Sequence, residues 1–256
     1  MDTISSRSNG DVRLLRQLFR EKKLRSERNL FAVEGDHLCG ELAASDHKTE
    51  LFAYTMRAAE KYPDAVKKML EVSAKSVVIT EEISEYISDT KTPQGLYAAA
   101  VMRKCELPRD PRSVIVMDGV QDPGNVGTIL RTAEAFGFDG AVLLGACADI
   151  YSSKTLRASM GSALRFPCVY CAAEELRAVL DGFAIYAAML DSSAAALGET
   201  AFAERSAVII GSEGRGVSPE AAAVCDKKLY IPIENVESLN AAVAAAVIMW
   251  ELKRGG

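Results

Sequence analysis

Short apolar runs alternate with amphipathic stretches through the second half of the chain, and this alternation limits the possible folds more than any other feature. The runs Ser113–Val120, Gly140–Gly145, Phe166–Cys171, Ala184–Met189, Ala207–Gly211 and Lys228–Ile233 have the length of strands. Helical patterns fill the gaps at Thr128–Phe136, Ser153–Leu164, Glu174–Leu180, Pro219–Cys225 and Leu239–Lys253. Runs such as VIVMDGV and AVIIG are apolar on both faces, as central strands of a helix-covered parallel sheet must be. About six strands with crossover helices predict a doubly wound sheet, whose ligands bind in loops beyond the carboxyl ends of the strands.

The first half alternates less clearly. Apolar runs at Leu30–Glu34, Leu51–Thr55, Val77–Thr80 and Leu96–Met102 are separated by helical stretches at His37–Ala44, Asp64–Leu70 and Glu81–Ser88. They predict a small α/β layer domain. Arg103–Ser113 (RKCELPRDPRS) has two prolines among mostly charged residues and reads as a linker. With 256 residues, 49% of them hydrophobic, two cores are affordable. The expected division is a leading domain at 1–102, a linker at 103–112 and a second domain at 113–256.

No apolar run approaches a membrane span and no apolar signal follows Met1, so a soluble, cytoplasmic protein without a membrane partner is expected. The six cysteines are too scattered for a disulfide framework. The Cys168/Cys171 pair lacks a second pair or a nearby histidine, so ordinary buried thiols and no metal are expected. Both histidines, His37 and His47, precede residue 50, which excludes histidine-based nucleophilic sites from the rest of the chain. The net charge of −5 argues against nucleic acid, yet its distribution does not. Residues 1–30 hold eight basic side chains (Arg7, Arg13, Arg16, Arg20, Lys22, Lys23, Arg25 and Arg28) against four acids, a local charge of +4. A helix over Asn9–Asn29 carrying them is either a solvated face or a phosphate-binding one.

Three loops stand out. After the first strand of the second half, QDPGNVGTILRTAEAFG has a Pro123-Gly124 turn signal, with Asn125 and Arg131 as candidates; a plain helix start with one exposed arginine is the structural alternative. After Ala207–Gly211, GSEGRGVSPE places glycines at 211, 214 and 216 around Glu213 and Arg215. This is neither a dinucleotide fingerprint nor a P-loop. Its glycines imply close backbone approach, while Ser218 and Pro219 read as a helix cap and first turn. After Lys228–Ile233, Ser238 and Asn240 open an alanine-rich helix for which Glu237 or Ser238 is the expected cap. Val243, Val247 and Trp250 fall at helical spacing and read as core or subunit interface.

Taken in order, NVGTILRTA at Asn125–Ala133, IIGSEGRG at Ile209–Gly216 and the IPI…ESLNAAVA stretch at Ile231–Ala244 resemble the three motifs of the SpoU (TrmH-type) RNA ribose 2′-O-methyltransferases of the SPOUT superfamily. The likeness covers roughly residues 113–254. ERNLFAVEG at Glu27–Gly35 and TPQGL at Thr92–Leu96 are similar to the substrate-binding domain of the ribosomal-RNA branch. The resemblance implies an α/β fold whose parallel sheet ends in a deep carboxyl-terminal trefoil knot, a rare feature that periodicity does not reveal. A small α/β substrate-binding domain would precede it. It also implies S-adenosylmethionine held by Gly211, Ser212, Gly216, Ile231 and Leu239, a homodimer, and RNA as partner, most specifically 23S ribosomal RNA. Transfer RNA and a non-catalytic RNA-binding role are the alternatives. The segment between Pro232 and Ser238 is one residue shorter than is common in the family, with Asn235 where a glycine is usual.

In such enzymes the catalytic set corresponds here to Arg131, Asn125, Glu213, Ser238 and Asn240. Arginine stays protonated in proteins, so its better role is to hold a substrate phosphate and stabilise the developing alkoxide, with phosphate as a possible proton acceptor. The other four would orient Arg131 and the ribose. Arg157 and Arg165 are expected to add phosphate contacts beside the basic head.

Overall fold

A computed structural model of the protein describes residues 3–254. The chain forms two compact units, residues 1–103 with 151–165, and residues 104–150 with 166–256.

In the first unit the order is β1 (Thr3–Ile4), α1 (Gly10–Arg20), α2 (Lys22–Arg28), β2 (Leu30–Glu34), α3 (Asp36–Ala43), β3 (Thr49–Tyr54), α4 (Met56–Lys61), α5 (Pro63–Val72), β4 (Ser76–Ile79), α6 (Glu81–Ile87) and β5 (Leu96–Val101). The sheet order is β1-β4-β3-β5-β2, with β5 antiparallel to both neighbours and the other pairs parallel. Val12, Leu15, Leu18 and Phe19 recur along one face of α1 and pack with Leu51, Ala53, Ile79, Ile83 and Tyr97.

The remaining elements are β6 (Ser113–Asp118), α7 (Pro123–Ala135), β7 (Gly140–Leu144), α8 (Ser153–Ser159), α9 (Ser162–Arg165), β8 (Cys168–Cys171), α10 (Leu176–Val179), β9 (Ala184–Ala188), β10 (Ala195–Ala196), β11 (Ser206–Gly211), α11 (Pro219–Ala223), β12 (Lys227–Tyr230) and α12 (Ala241–Arg254). Of these, α8 and α9 belong to the first unit. The sheet of the second unit runs β10-β12-β9-β11-β6-β7-β8, every pair parallel. It has one strand more than the apolar runs suggest, because β10 is too short to form a run. Val114, Val116, Val142, Ile185 and Ile209 pack with Leu176, Leu180, Phe183 and Ala221. α7 packs against α12, and these two helices also touch β7 and β11.

Several local expectations are corrected. The basic head is two helices, because Glu21 is extended (φ −115°, ψ 100°) and Asn29 ends α2 in the left-handed region at φ 53°. Arg25 is buried and donates to the Leu18 carbonyl oxygen at 2.7 Å, which removes it from phosphate contact. Arg157 and Arg165 are already engaged, with Asp89 at 3.3 Å and with Glu41 respectively. The Ser153–Leu164 helix breaks at Met160, which is left-handed at φ 50°. α7 starts five residues early because Asp122 caps it by accepting from the Asn125 amide at 3.0 Å. Asn125 therefore sits in the first turn of a helix rather than in a loop. Glu237 and Ser238 do not cap α12; Asn240 does, accepting from the Ala242 and Val243 amides at 2.9 and 3.3 Å.

Candidate functional site

The carboxyl ends of β9, β11 and β12, adjacent in the second sheet, surround a cavity of about 400 Å³. This is where a doubly wound sheet leaves room for a ligand. Met189, Leu190, Ile210, Val217, Ile231, Ile233, Leu239 and Ile248 give it apolar walls. The backbone of Gly211–Gly216 and the side chains of Glu213, Glu237 and Ser238 supply polar groups.

The glycine loop is closed on itself. Ser212 and Gly216 exchange two backbone hydrogen bonds, at 3.1 and 2.9 Å. That brings the Gly216 carbonyl carbon to 2.0 Å from where a Cβ on Gly211 would lie, so only glycine fits at 211. Gly216 itself is left-handed at φ 67°. The following Ser218 caps α11 by accepting from the Ala221 amide at 3.2 Å, and its own amide donates to Asp118 at 2.6 Å. Asp118 ends β6 and is buried, so the glycine loop is tied to the neighbouring strand. In the third loop Asn235 adopts φ 63°, the left-handed geometry expected of a glycine substitute.

A chain of side-chain amides joins the three loops. The Asn240 amide nitrogen donates to the Asn125 Oδ1 at 3.0 Å, and the Asn125 amide nitrogen donates to the Glu213 carboxylate. Because Asn240 Oδ1 is committed to capping α12, the orientation of both amides is fixed by the network. One carboxylate oxygen of Glu213 remains for a ligand.

The five residues expected to touch the cofactor, Gly211, Ser212, Gly216, Ile231 and Leu239, all line the cavity. Of the expected catalytic set, Glu213 and Ser238 line it and Asn125 and Asn240 reach it through hydrogen bonds. Arg131 is not among the lining residues; it is exposed on α7, and its side chain makes no hydrogen bond or ion pair with another described residue. Sequence reasoning missed Leu190, which is 73% exposed although it lines the cavity, and also Glu237 as a wall residue. Leu190 directly follows the Ala184–Met189 run, so the rule that ligands bind beyond strand ends was the signal available for it. Asp118 was hidden inside an apolar run.

The cavity suits S-adenosylmethionine chemically. Apolar walls match an adenine ring and a thioether chain, the glycine loop brings backbone close to the space for the polar edges of adenine and ribose, and Glu213 and Glu237 match positive charge. All six cysteines are free thiols, and burial pushes Cys39 and Cys168 up. Among the described residues no cluster of His, Cys, Asp or Glu has the makings of a metal site, and no helix is long and apolar enough to cross a membrane.

Residues 112–250 match the SpoU rRNA Methylase family, and residues 9–98 match an MRM3-like substrate binding domain. The chain is 33% identical to the 23S rRNA (guanosine(2553)-2′-O)-methyltransferase RlmP of Bacillus subtilis, over 99% of this chain and 100% of that one. It is 26% identical to human mitochondrial rRNA methyltransferase 3, over 96% of this chain and 73% of that one. The AdoMet-bound rRNA methyltransferase of Sinorhizobium meliloti has the same fold, with a TM-score of 0.88 and 25% identity over 99% of this chain and 97% of that one. Matched over more than half its length by one family and along nearly all of it by a relative, the chain belongs to the SpoU rRNA methylase family.

Proposed function

We infer that the protein is an S-adenosylmethionine-dependent ribose 2′-O-methyltransferase acting on 23S ribosomal RNA in the cytoplasm. The observation that carries this reading is the Asn240–Asn125–Glu213 chain, which holds a carboxylate from the glycine loop at the edge of the cavity. Membership of the family and the activity of the Bacillus relative support the reaction and the RNA.

When bound, S-adenosylmethionine supplies a methyl group made electrophilic by its sulfonium. The chain must then position a ribose hydroxyl and handle its proton. Glu213, locked by Asn125, offers a fixed acceptor to the hydroxyl or to a guanidinium, and Ser238 adds a second polar contact. Arg131, whose side chain has no partner among the described residues, is available to a substrate phosphate and to the negative charge that develops on the ribose oxygen. The basic head holds the polymer. Arg16 lies 3.8 Å and Arg7 4.9 Å from the centre of the Tyr86 ring, and Arg13, Arg16 and Arg20 line a hollow beside it.

Two finer features belong to this reading. The exposed Val243, Val247 and Trp250 on α12 support a homodimer. The return of the chain from β12, between β9 and β10, to α12 beside β11 supports a trefoil knot.

The test is incubation with methyl-labelled S-adenosylmethionine and unmodified 23S ribosomal RNA, followed by mapping of alkali-resistant positions. Label on one ribose is the expected result. No transfer, or transfer to a base, overturns the assignment.

A further inference from the structure

The TPQG stretch at Thr92–Gly95 has no part in the cavity of the second unit, yet the first unit builds a second cavity against it. This cavity, about 300 Å³, is lined by Thr55, Arg57, Ala58, Lys61, Tyr62, Glu81 and the Thr92–Gln94 segment. Its wall is held from two sides. Gln94 Oε1 accepts from the Asp36 amide at 2.8 Å, which leaves the Gln94 amide nitrogen as an unused donor. Gly95, at φ 75°, packs so closely that a Cβ there would lie 2.6 Å from Thr55 Oγ1.

Three of the polar side chains lining the space are uncommitted. The side chains of Arg57, Glu81 and Thr92 make no hydrogen bond or ion pair with another described residue. The Lys61 ammonium lies 5.0 Å from the centre of the Tyr62 ring. Two cations and an aromatic face suit a nucleotide. A site for phosphate alone would not include Glu81, whereas a base edge offers N–H donors to a carboxylate and acceptors to the Gln94 amide. Glu81 opens α6, and Tyr86, with the arginines around it, lies five residues on, about 7.5 Å along the helix. The arginine hollow and this cavity therefore lie close to opposite ends of one short helix, within the reach of a single RNA strand.

We propose that the cavity between α4 and the Thr92–Gln94 segment holds one unpaired nucleotide of the RNA substrate. Its phosphate lies on Arg57 and Lys61, and its base lies against Tyr62 and is read by Gln94 and Glu81. This rests on RNA being the substrate, as inferred above.

The test uses the full chain as wild type, as an Arg57→Ala/Lys61→Ala double variant and as Tyr62→Leu, which keeps apolar bulk but removes the stacking face. Filter binding of unmodified 23S ribosomal RNA across a salt series is measured beside methyl-transfer kinetics and calorimetric S-adenosylmethionine binding. Both variants are expected to weaken RNA binding and raise the RNA KM about tenfold, with kcat and cofactor affinity unchanged. The double variant should also flatten the salt slope by about two, and Tyr62→Leu should leave that slope alone. If wild type binds RNA and both variants match it, the proposal fails and the methyltransferase assignment stands. A loss confined to the double variant overturns the base contact and leaves a phosphate site only. If wild type binds but does not methylate, the assignment fails while the cavity is still decided by the binding data. Absence of RNA binding by wild type overturns both.

Discussion

A methyl group on Gly211 would sit 2.0 Å from the Gly216 carbonyl carbon, closer than any relaxation of a side chain can relieve, because the obstacle is backbone. Gly211→Ala is therefore expected to cost about 3 kcal/mol and to abolish S-adenosylmethionine binding, read by thermal melting and calorimetry. Asn125→Ala breaks the chain between Asn240 and Glu213 at its middle. It should lower kcat about a hundredfold with cofactor affinity kept, and Arg131→Ala should do the same or more. Full activity in either variant would remove that residue from the site. Gly211 was legible because three glycines in six residues rarely serve a plain turn. The Asn240 cap was not, since a cap is defined by where the helix starts, and the interaction of Asn240 with Asn125, 115 residues away, helps to place it. Nor was the loss of Arg25, whose burial follows from the break at Glu21 folding α2 back beside α1.

Among the elements, the long apolar strands and amphipathic helices were legible because burial on both faces leaves a direct mark on sequence, whereas β10, two residues long, leaves none. Segment 151–165 shows the same limit: its sequence lies between strands of the second sheet, but its packing is with the first unit. Tyr151 stacks on Phe31 with ring centres 4.6 Å apart, and His47 meets both rings edge-on. Burial lowers the His47 pKa, so the folded state resists a proton that the unfolded chain accepts near pH 6.5. Its contribution to stability is full above that pH and is lost as pH falls below it. Melting between pH 7.5 and 5.5 should show a shallower decline in His47→Phe than in wild type, and equal slopes would dismiss the effect. On α1, Arg13 and Arg20 stand exposed beside Tyr86. Reversing both to Glu should cut RNA affinity at least tenfold at low salt and lessen its salt dependence, with the melting temperature nearly unchanged. Unaltered binding would make that face merely a solvated one.

For the molecule as a whole, the amphipathic logic of α12 leaves something over. Ala241, Ala242, Ala245, Ile248, Met249 and Leu252 bury one side of the helix, and a surface helix should then turn polar on the other. Instead Val243, Val247 and Trp250, spaced by four and three residues, remain 50, 39 and 56% exposed. Trp250 is only partly covered, by Phe136 just beyond α7 at a ring distance of 5.7 Å. Two valines followed by a tryptophan on one helix face have the composition of an interface core, and homo-oligomers most often form two-fold dimers. Trp250→Glu removes the largest side chain of the patch and puts a charge there, where desolvating it without a partner is costly. If the proposed homodimer forms through this patch, light scattering should report a dimer for wild type and a monomer for the variant at the same concentration. A dimer that survives the substitution would mean that α12 faces solvent and that another surface joins the subunits.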